Sequence, residues 1–160
     1  MQMAGRMPDI LSGNLTYFLE GVVLIKNETK QEQTFPKILV LTHGFFGSEL
    51  IKSAELVIGK MENTEFIPLT SDISITAYQE KVFSRLTQLS ENDIVLVDLL
   101  GGTPSNTVAL FSKQKKIPAI AGLNLSVFIS CAIGRQEKQG EELVQAVLKE
   151  AGNSIQQIKL

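Results

Sequence analysis

The sequence predicts an α/β fold: a doubly wound, mainly parallel sheet flanked by helices, beginning at Lys37 and running to Leu160. Three observations predict it. From Lys37 onward, short β-branched runs alternate with longer stretches of helical period, the order expected of strands joined by crossover helices. The strand runs are continuously apolar rather than alternating, as strands covered on both faces require. Two loops leaving strand ends carry polar and glycine residues, where open α/β sheets place ligand sites.

Each element has its own signal. Ile38-Leu39-Val40-Leu41-Thr42 reads as the first strand and runs into His43-Gly44-Phe45-Phe46-Gly47. Leu50, Ala54, Val57 and Ile58 then fall on one helical face, with Ser48 placed to cap the helix start and Gly59 to end it. Glu65 to Leu69 is the second strand, Thr70-Ser71-Asp72 a turn or cap, and Ile75, Tyr78, Val82, Leu86 and Leu89 mark a crossover helix. Asp93 to Asp98 is the third strand. It leads into Leu99-Leu100-Gly101-Gly102-Thr103-Pro104-Ser105-Asn106, with Thr103 as N-cap and Pro104 at the first helical position. Ile117 to Ala121 is a fourth, short strand, followed by Gly122-Leu123-Asn124-Leu125 and a helix through Cys131. Gly134 to Gly140 reads as a polar connection and Glu141 to Ala151 as an amphipathic helix using Leu143, Val144, Val147 and Leu148. Ile155 to Leu160 can form a terminal strand with Ile155 and Ile158 buried.

Residues 1–36 are an N-terminal extension of unknown role. Met1 to Gly13 is weakly patterned, Leu15 to Ile25 reads as one or two short strands, and Asn27 to Thr34 is polar enough for a linker. A flexible leader and an ordered additional element both fit.

Composition excludes several function classes. The chain has 160 residues, 44% hydrophobic and 20% charged, enough to bury a core in one domain. Fifteen basic residues against 17 acidic ones give a net charge of -2, and no Lys/Arg-rich run supplies a nucleic-acid footprint. The single cysteine, Cys131, and single histidine, His43, exclude an intramolecular disulfide and a multi-His or Cys/His metal cluster. No apolar run reaches the roughly 18 residues of a membrane span, and the N-terminus lacks a secretory signal pattern. A cytoplasmic protein without membrane insertion, nucleic-acid partner, metal or other cofactor is expected.

Chemistry is concentrated in two loops. If the first and third strands are neighbours, His43 and Asp98 meet across one crevice. A carboxylate that accepts a hydrogen bond from one ring nitrogen fixes the tautomer and leaves the other nitrogen's lone pair free as a nucleophile. Gly101 and Gly102 permit close approach of backbone amides and Thr103 adds a hydroxyl, a set suited to an anion such as a phosphoryl group. The loop is neither a Gly-Lys-Ser/Thr phosphate loop nor the Gly-x-Gly-x-x-Gly dinucleotide fingerprint. Read structurally, the same residues are a loop histidine, a turn-capping aspartate and an ordinary loop-to-helix junction. Cys131 sits in an apolar stretch and reads as core, the alternative being a nucleophile paired with His43. Phe45 and Phe46 are either core residues or an exposed partner-docking pair.

Three of these segments resemble, in order and spacing, the signatures of one family. Ile38 to Gly59 with Leu-Thr-His-Gly at its centre, Val97-Asp98-Leu99-Leu100-Gly101-Gly102-Thr103-Pro104-Ser105-Asn106, and Ala121-Gly122-Leu123-Asn124-Leu125 look like the IIA domain of the mannose-type sugar phosphotransferase system, the mannose/fructose/sorbose group. The resemblance covers residues 37–160. It implies a phosphotransferase: His43 accepts a phosphoryl group from the phosphocarrier protein HPr and passes it to a IIB component, which serves the membrane IIC and IID components in sugar uptake. It further implies that Asp98 orients His43, that Thr103 contacts the phosphoryl group, and that Gly101, Gly102, Ser105 and Asn106 complete its loop. By the same resemblance, Ile155 to Leu160 is an antiparallel strand exchanged in a homodimer; with no IIB domain following that strand, the IIB partner is expected to be a separate protein.

The sequence departs from the family in its 36 leading residues and at Pro68-Leu69-Thr70-Ser71-Asp72, where the family shows Pro-Gly and then an acidic residue. Two other readings stand beside transport: the phosphoryl-receiving subunit of a dihydroxyacetone kinase system, and a regulatory module switched by phosphorylation.

Overall fold

The computed structural model describes residues 15–19, 22–26 and 35–159. The chain divides into two compact units, Met1–Thr34 and Phe35–Leu160. In the first, β1 (Leu15–Leu19) and β2 (Val22–Lys26) pair antiparallel, Leu15 opposite Lys26 and Leu19 opposite Val22. The expectations for Met1–Gly13 and Asn27–Thr34 lie outside the described residues.

The second unit runs β3 (Ile38–His43), α1 (Phe46–Ile58), β4 (Thr64–Leu69), α2 (Ile75–Gln88), β5 (Ile94–Val97), α3 (Thr103–Phe111), β6 (Ala119–Ala121), α4 (Leu125–Gly134) and α5 (Gly140–Ala151). The four strands form a parallel sheet in the order β4-β3-β5-β6. From β3 the chain winds outward to β4 and then returns to the other side of β3 to lay down β5. Winding therefore reverses between β3 and β5, which opens a crevice at their carboxyl ends.

Strand pleating divides the core between two faces. Ile38 and Val40 of β3 and Ile94 and Leu96 of β5 pack with Leu50 and Ala54 of α1, Val127 and Phe128 of α4, and Leu143 and Val147 of α5. Leu39, Leu41, Val95 and Val97 face the other way, onto Tyr78, Val82 and Leu86 of α2 and Val108 and Phe111 of α3. Both faces are covered, which is why β3 and β5 are apolar without alternation.

Several boundaries differ from the sequence reading. α1 begins at Phe46, so Ser48 lies inside its first turn and donates its hydroxyl to the Phe45 carbonyl instead of capping the helix. Ser74, not the Thr70-Ser71-Asp72 cluster, caps α2 by accepting from the Ala77 amide. Gly102 is the N-cap of α3, which moves Thr103 to the first helical position and Pro104 one step further in; a proline still costs nothing there, because first-turn amides have no intrahelical partner. β5 is shorter than Asp93 to Asp98, since both aspartates turn their carboxylates onto loop backbone amides.

The largest difference is at the C-terminus. After α5 the described residues through Lys159 form no strand, and Ile155 and Ile158 are 87% and 85% exposed rather than buried. A strand exists only through its ladder partner; among the described residues no strand pairs with the segment, and β6 has a neighbour only in β5.

Candidate active site

β3 ends on His43, and its buried last-but-one residue is a threonine rather than an aliphatic. The Thr42 hydroxyl accepts from the Gly47 amide at 3.0 Å and reaches the Gly44 carbonyl at 3.4 Å. It therefore ties the loop after His43 to the start of α1 and satisfies groups that burial would leave unpaired. Gly44 adopts φ +55° and donates its amide to the Leu69 carbonyl of β4 at 2.8 Å. A left-handed residue is needed for that turn, and glycine takes it without the Cβ penalty.

Parallel pairing of β3 with β5, Leu41 level with Val97, brings Asp98 beside His43. The His43 ring nitrogen Nδ1 lies 2.9 Å from Asp98 Oδ2, and the same oxygen accepts the His43 backbone amide at 2.8 Å. Oδ1 accepts the Leu99 amide at 2.8 Å. Two backbone donors fix the carboxylate in place, and in the ring tautomer that carries its proton on Nδ1 that nitrogen donates to Asp98 and Nε2 holds the lone pair. The His43 side chain is 45% exposed and that of Asp98 15%, so the ring is reachable from solvent while the carboxylate is sheltered.

Gly102 comes closest to the ring. A Cβ built on it would stand 2.8 Å from His43 Cε1 and 3.4 Å from Nε2; only glycine lets the start of α3 approach this far. The first-turn amides of α3 have no intrahelical partner and carry the positive end of the helix dipole, so Nε2 sits beside an anion-attracting helix start. Ser105 and Asn106 act on the loop itself: the Ser105 hydroxyl accepts from the Gly101 amide at 3.3 Å, and the Asn106 side-chain amide donates to the Gly101 carbonyl at 2.9 Å. They brace the glycine loop in the shape that carries Gly102 to the ring.

The structure thus brings His43, Asp98 and Gly102 together, with Ser105 and Asn106 bonded to Gly101 beside them and Thr103 following Gly102 as the first residue of α3. Phe45 and Phe46 are 64% and 47% exposed, which overturns the core alternative for that pair. Leu99 and Leu100, 60% and 78% exposed, add apolar surface on the facing loop. Sequence reasoning passed over these leucines as a lead-in to the glycines, and passed over Thr42, whose signal was a lone hydroxyl in an apolar strand.

Cys131 is the core residue its apolar stretch predicts, and the nucleophile alternative falls. It is fully buried on α4 in the cluster with Ile38 and Val40, not the one with Leu41, and burial pushes its thiol up to about 12. A thiol held protonated among aliphatics on the other face of the sheet cannot pair with His43.

Comparison with known proteins supplies the context. The family profile described as "PTS system fructose IIA component", PTS being the phosphotransferase system, matches residues 37–148. The mannose-specific EIIAB component of Escherichia coli K12 is 26% identical over 126 residues, covering 76% of this chain and 39% of that protein. This chain therefore spans about two fifths of the length of that relative. The fructose-specific EIIA component of Bacillus subtilis is 27% identical over 122 residues, 74% of this chain and 84% of the relative. Among solved structures, the EIIA component from Streptococcus agalactiae superposes with a TM-score of 0.70 at 29% identity, covering 76% of this chain and 95% of that one. The mannose/sorbose-specific IIA subunit from Enterococcus faecalis gives 0.70 at 25%, with 79% and 97% covered. Since the matched segment is well over half of the chain and contains every residue of the crevice, this protein belongs to the fructose/mannose IIA component family of the phosphotransferase system.

Proposed function

We propose that this chain is the phosphocarrier IIA component of a mannose-family sugar phosphotransferase system, with His43 as the phosphoryl acceptor. The observation that carries the reading is the His43 ring itself: Nδ1 is committed to Asp98 and Nε2 faces the glycine-lined start of α3. Phospho-HPr would present a phosphorus atom to Nε2. As the Nε2 lone pair forms the new N–P bond, the N–P bond to the HPr histidine breaks and that ring recovers its electron pair. With Nδ1–H kept, the His43 ring becomes cationic, and the Asp98 carboxylate lies where that charge develops. Meanwhile the amides of α3 and the Thr103 hydroxyl receive the phosphoryl oxygens. Reversal of the same step toward a IIB component completes the relay. The reaction balances without a cofactor.

Phe45 and Phe46, which follow His43 in sequence, and Leu99 and Leu100, which follow Asp98, are exposed apolar side chains, of the kind that excludes water when a partner docks. HPr and IIB would use them in turn. The membrane components of the system would be served through IIB alone, and no helix among the described residues is long and apolar enough to cross a membrane.

The C-terminal segment supports a strand-exchanged homodimer. A groove of about 1040 Å³ runs along β6, lined in part by Val97, Val108, Ile117, Ala119 and Ile120. Residues 155–160 of a second copy would add an antiparallel strand to this open edge and cover Ile155 and Ile158.

Phosphorus NMR of the protein after incubation with phospho-HPr tests the acceptor. One signal of an Nε2-phosphohistidine is expected, absent in His43→Gln; a signal from Nδ1, or one that survives the substitution, would refute the assignment.

A further inference from the structure

α1 begins without a side-chain cap of its own. Its cap position is Phe45, which has no side-chain acceptor, so the buried amide of Gly47, a first-turn donor with no intrahelical partner, must be satisfied from elsewhere. The acceptor is the Thr42 hydroxyl at 3.0 Å. Thr42 is fully buried at the end of β3 and continues the Ile38-Val40 alternation toward the face that α1 covers. The residues just before the helix are held by other means: His43 is tied to Asp98 through its amide and its ring, and Gly44 to the Leu69 carbonyl through its amide. From Phe45 onward the other bonds are local, the Phe45 carbonyl accepting from Ser48 and Glu49. Among the described residues, the Thr42 hydroxyl is therefore the polar tie between the start of α1 and the sheet.

We propose that Thr42 is a positioning residue for partner docking: by capping α1 from the sheet, it holds Phe45 and Phe46 in the orientation that meets phospho-HPr, while Asp98 and Gly102 hold the His43 ring. The inference rests on the phosphocarrier reading for the identity of the partner. The two exposed rings stand at the cap and first helical positions of α1, on the stretch of backbone that the Gly47 bond secures. Without the hydroxyl the buried amide would be left unpaired, a cost that the turn escapes by swinging that amide out to water. Phe45 and Phe46 would move with it. The ring, anchored through Asp98 and faced by Gly102, would keep its geometry. Docking and chemistry thus depend on different elements, the start of α1 for one and the loop from β5 to α3 for the other.

Rapid-quench phosphorylation over a range of phospho-HPr concentrations separates the two. Thr42→Val keeps the side-chain shape and removes the hydroxyl; Thr42→Ser keeps the hydroxyl. If the valine variant holds the docking turn about a tenth of the time, its half-saturating phospho-HPr concentration rises about tenfold. Its maximal rate should stay within about twofold of wild type, and Thr42→Ser should saturate near the wild-type concentration. An unmoved half-saturation point in Thr42→Val, a loss confined to the maximal rate, or an equal defect in both variants would overturn the proposal. Should Thr42→Val not fold, hydrogen exchange of the wild type decides. The Gly47 amide should be protected at least about tenfold over that of Phe46, which has no such acceptor; equal exchange of the two would overturn the proposal. The exchange measurement needs no phosphoryl donor, so wild type that takes no phosphoryl group would contradict the phosphocarrier reading and leave the Gly47 result intact. Normal transfer by wild type with an unmoved half-saturation point in Thr42→Val would remove the role of Thr42 alone.

Discussion

At the scale of single residues, the candidate site is a histidine made selective by its neighbours. Gly102 is at φ -73°, so alanine fits its backbone, yet the added Cβ would press on the His43 ring at 2.8 Å. Gly102→Ala should therefore melt near the wild type and accept phosphoryl from phospho-HPr at least about ten times more slowly, since reacting atoms displaced by even part of an ångström lose their attack geometry. Near-normal transfer would show that the helix start need not touch the ring. Asp98→Asn keeps an acceptor but removes the charge that offsets the cationic ring; a rate loss of about 10²- to 10⁴-fold is expected in rapid-quench phosphorylation. Cys131 makes a contrasting prediction. Its thiol, raised by burial from an ordinary value near 9 to about 12, stays protonated at pH 8, so iodoacetamide should label it only after denaturation. Because the folded state holds this proton more tightly than the unfolded one, its contribution to stability is complete below about pH 9 and is lost as pH rises toward 12. His43 and Asp98 were legible in the sequence because each follows an apolar strand at its carboxyl end. Thr42 was not: it reads as part of a strand, and only the fold sets its hydroxyl against the Gly47 amide at the start of α1.

At the scale of elements, the site depends on how closely the helices seat on the sheet. Gly47, in the first turn of α1, leaves no room for a side chain: a Cβ there would meet the Phe66 ring at 2.7 Å and Val40 at 2.8 Å. Gly47→Ala should cost about 1–3 kcal/mol through overpacking, read as a lower urea midpoint with an unchanged slope. On the same face Phe128 is fully buried on α4, and Phe128→Ala should cost about 3–5 kcal/mol. A midpoint unmoved by either change would mean that this face is packed more loosely than the structure has it. The elements themselves were readable from periodicity, because buried parallel strands and amphipathic helices carry distinct repeats. Their starts were less so. Ser48 and Thr103 have the chemistry of N-caps but sit within the first helical turn, since the competing residues Phe45 and Gly102 already hold the non-helical backbone that a cap position needs.

At the scale of the whole molecule, the order β4-β3-β5-β6 makes the crevice. Only adjacency of β3 and β5 joins two loops that lie 55 residues apart, a relation that sequence period alone left conditional. The terminal strand is not formed within the single chain: no described strand pairs with residues 155–159. If it pairs with β6 of a second copy, the protein should elute at twice its 17.6 kDa mass by light scattering, and deletion of residues 155–160 should return a monomer; a monomeric full-length chain would end that reading. The account as a whole stands on phosphoryl acceptance by His43. The direct test is intact-mass spectrometry after incubation with phosphoenolpyruvate, enzyme I and HPr, comparing wild type with His43→Ala. One acid-labile phosphoryl adduct on the wild type and none on the variant is the predicted result. No adduct on folded wild type with competent HPr, or an adduct that persists in the variant, would contradict it.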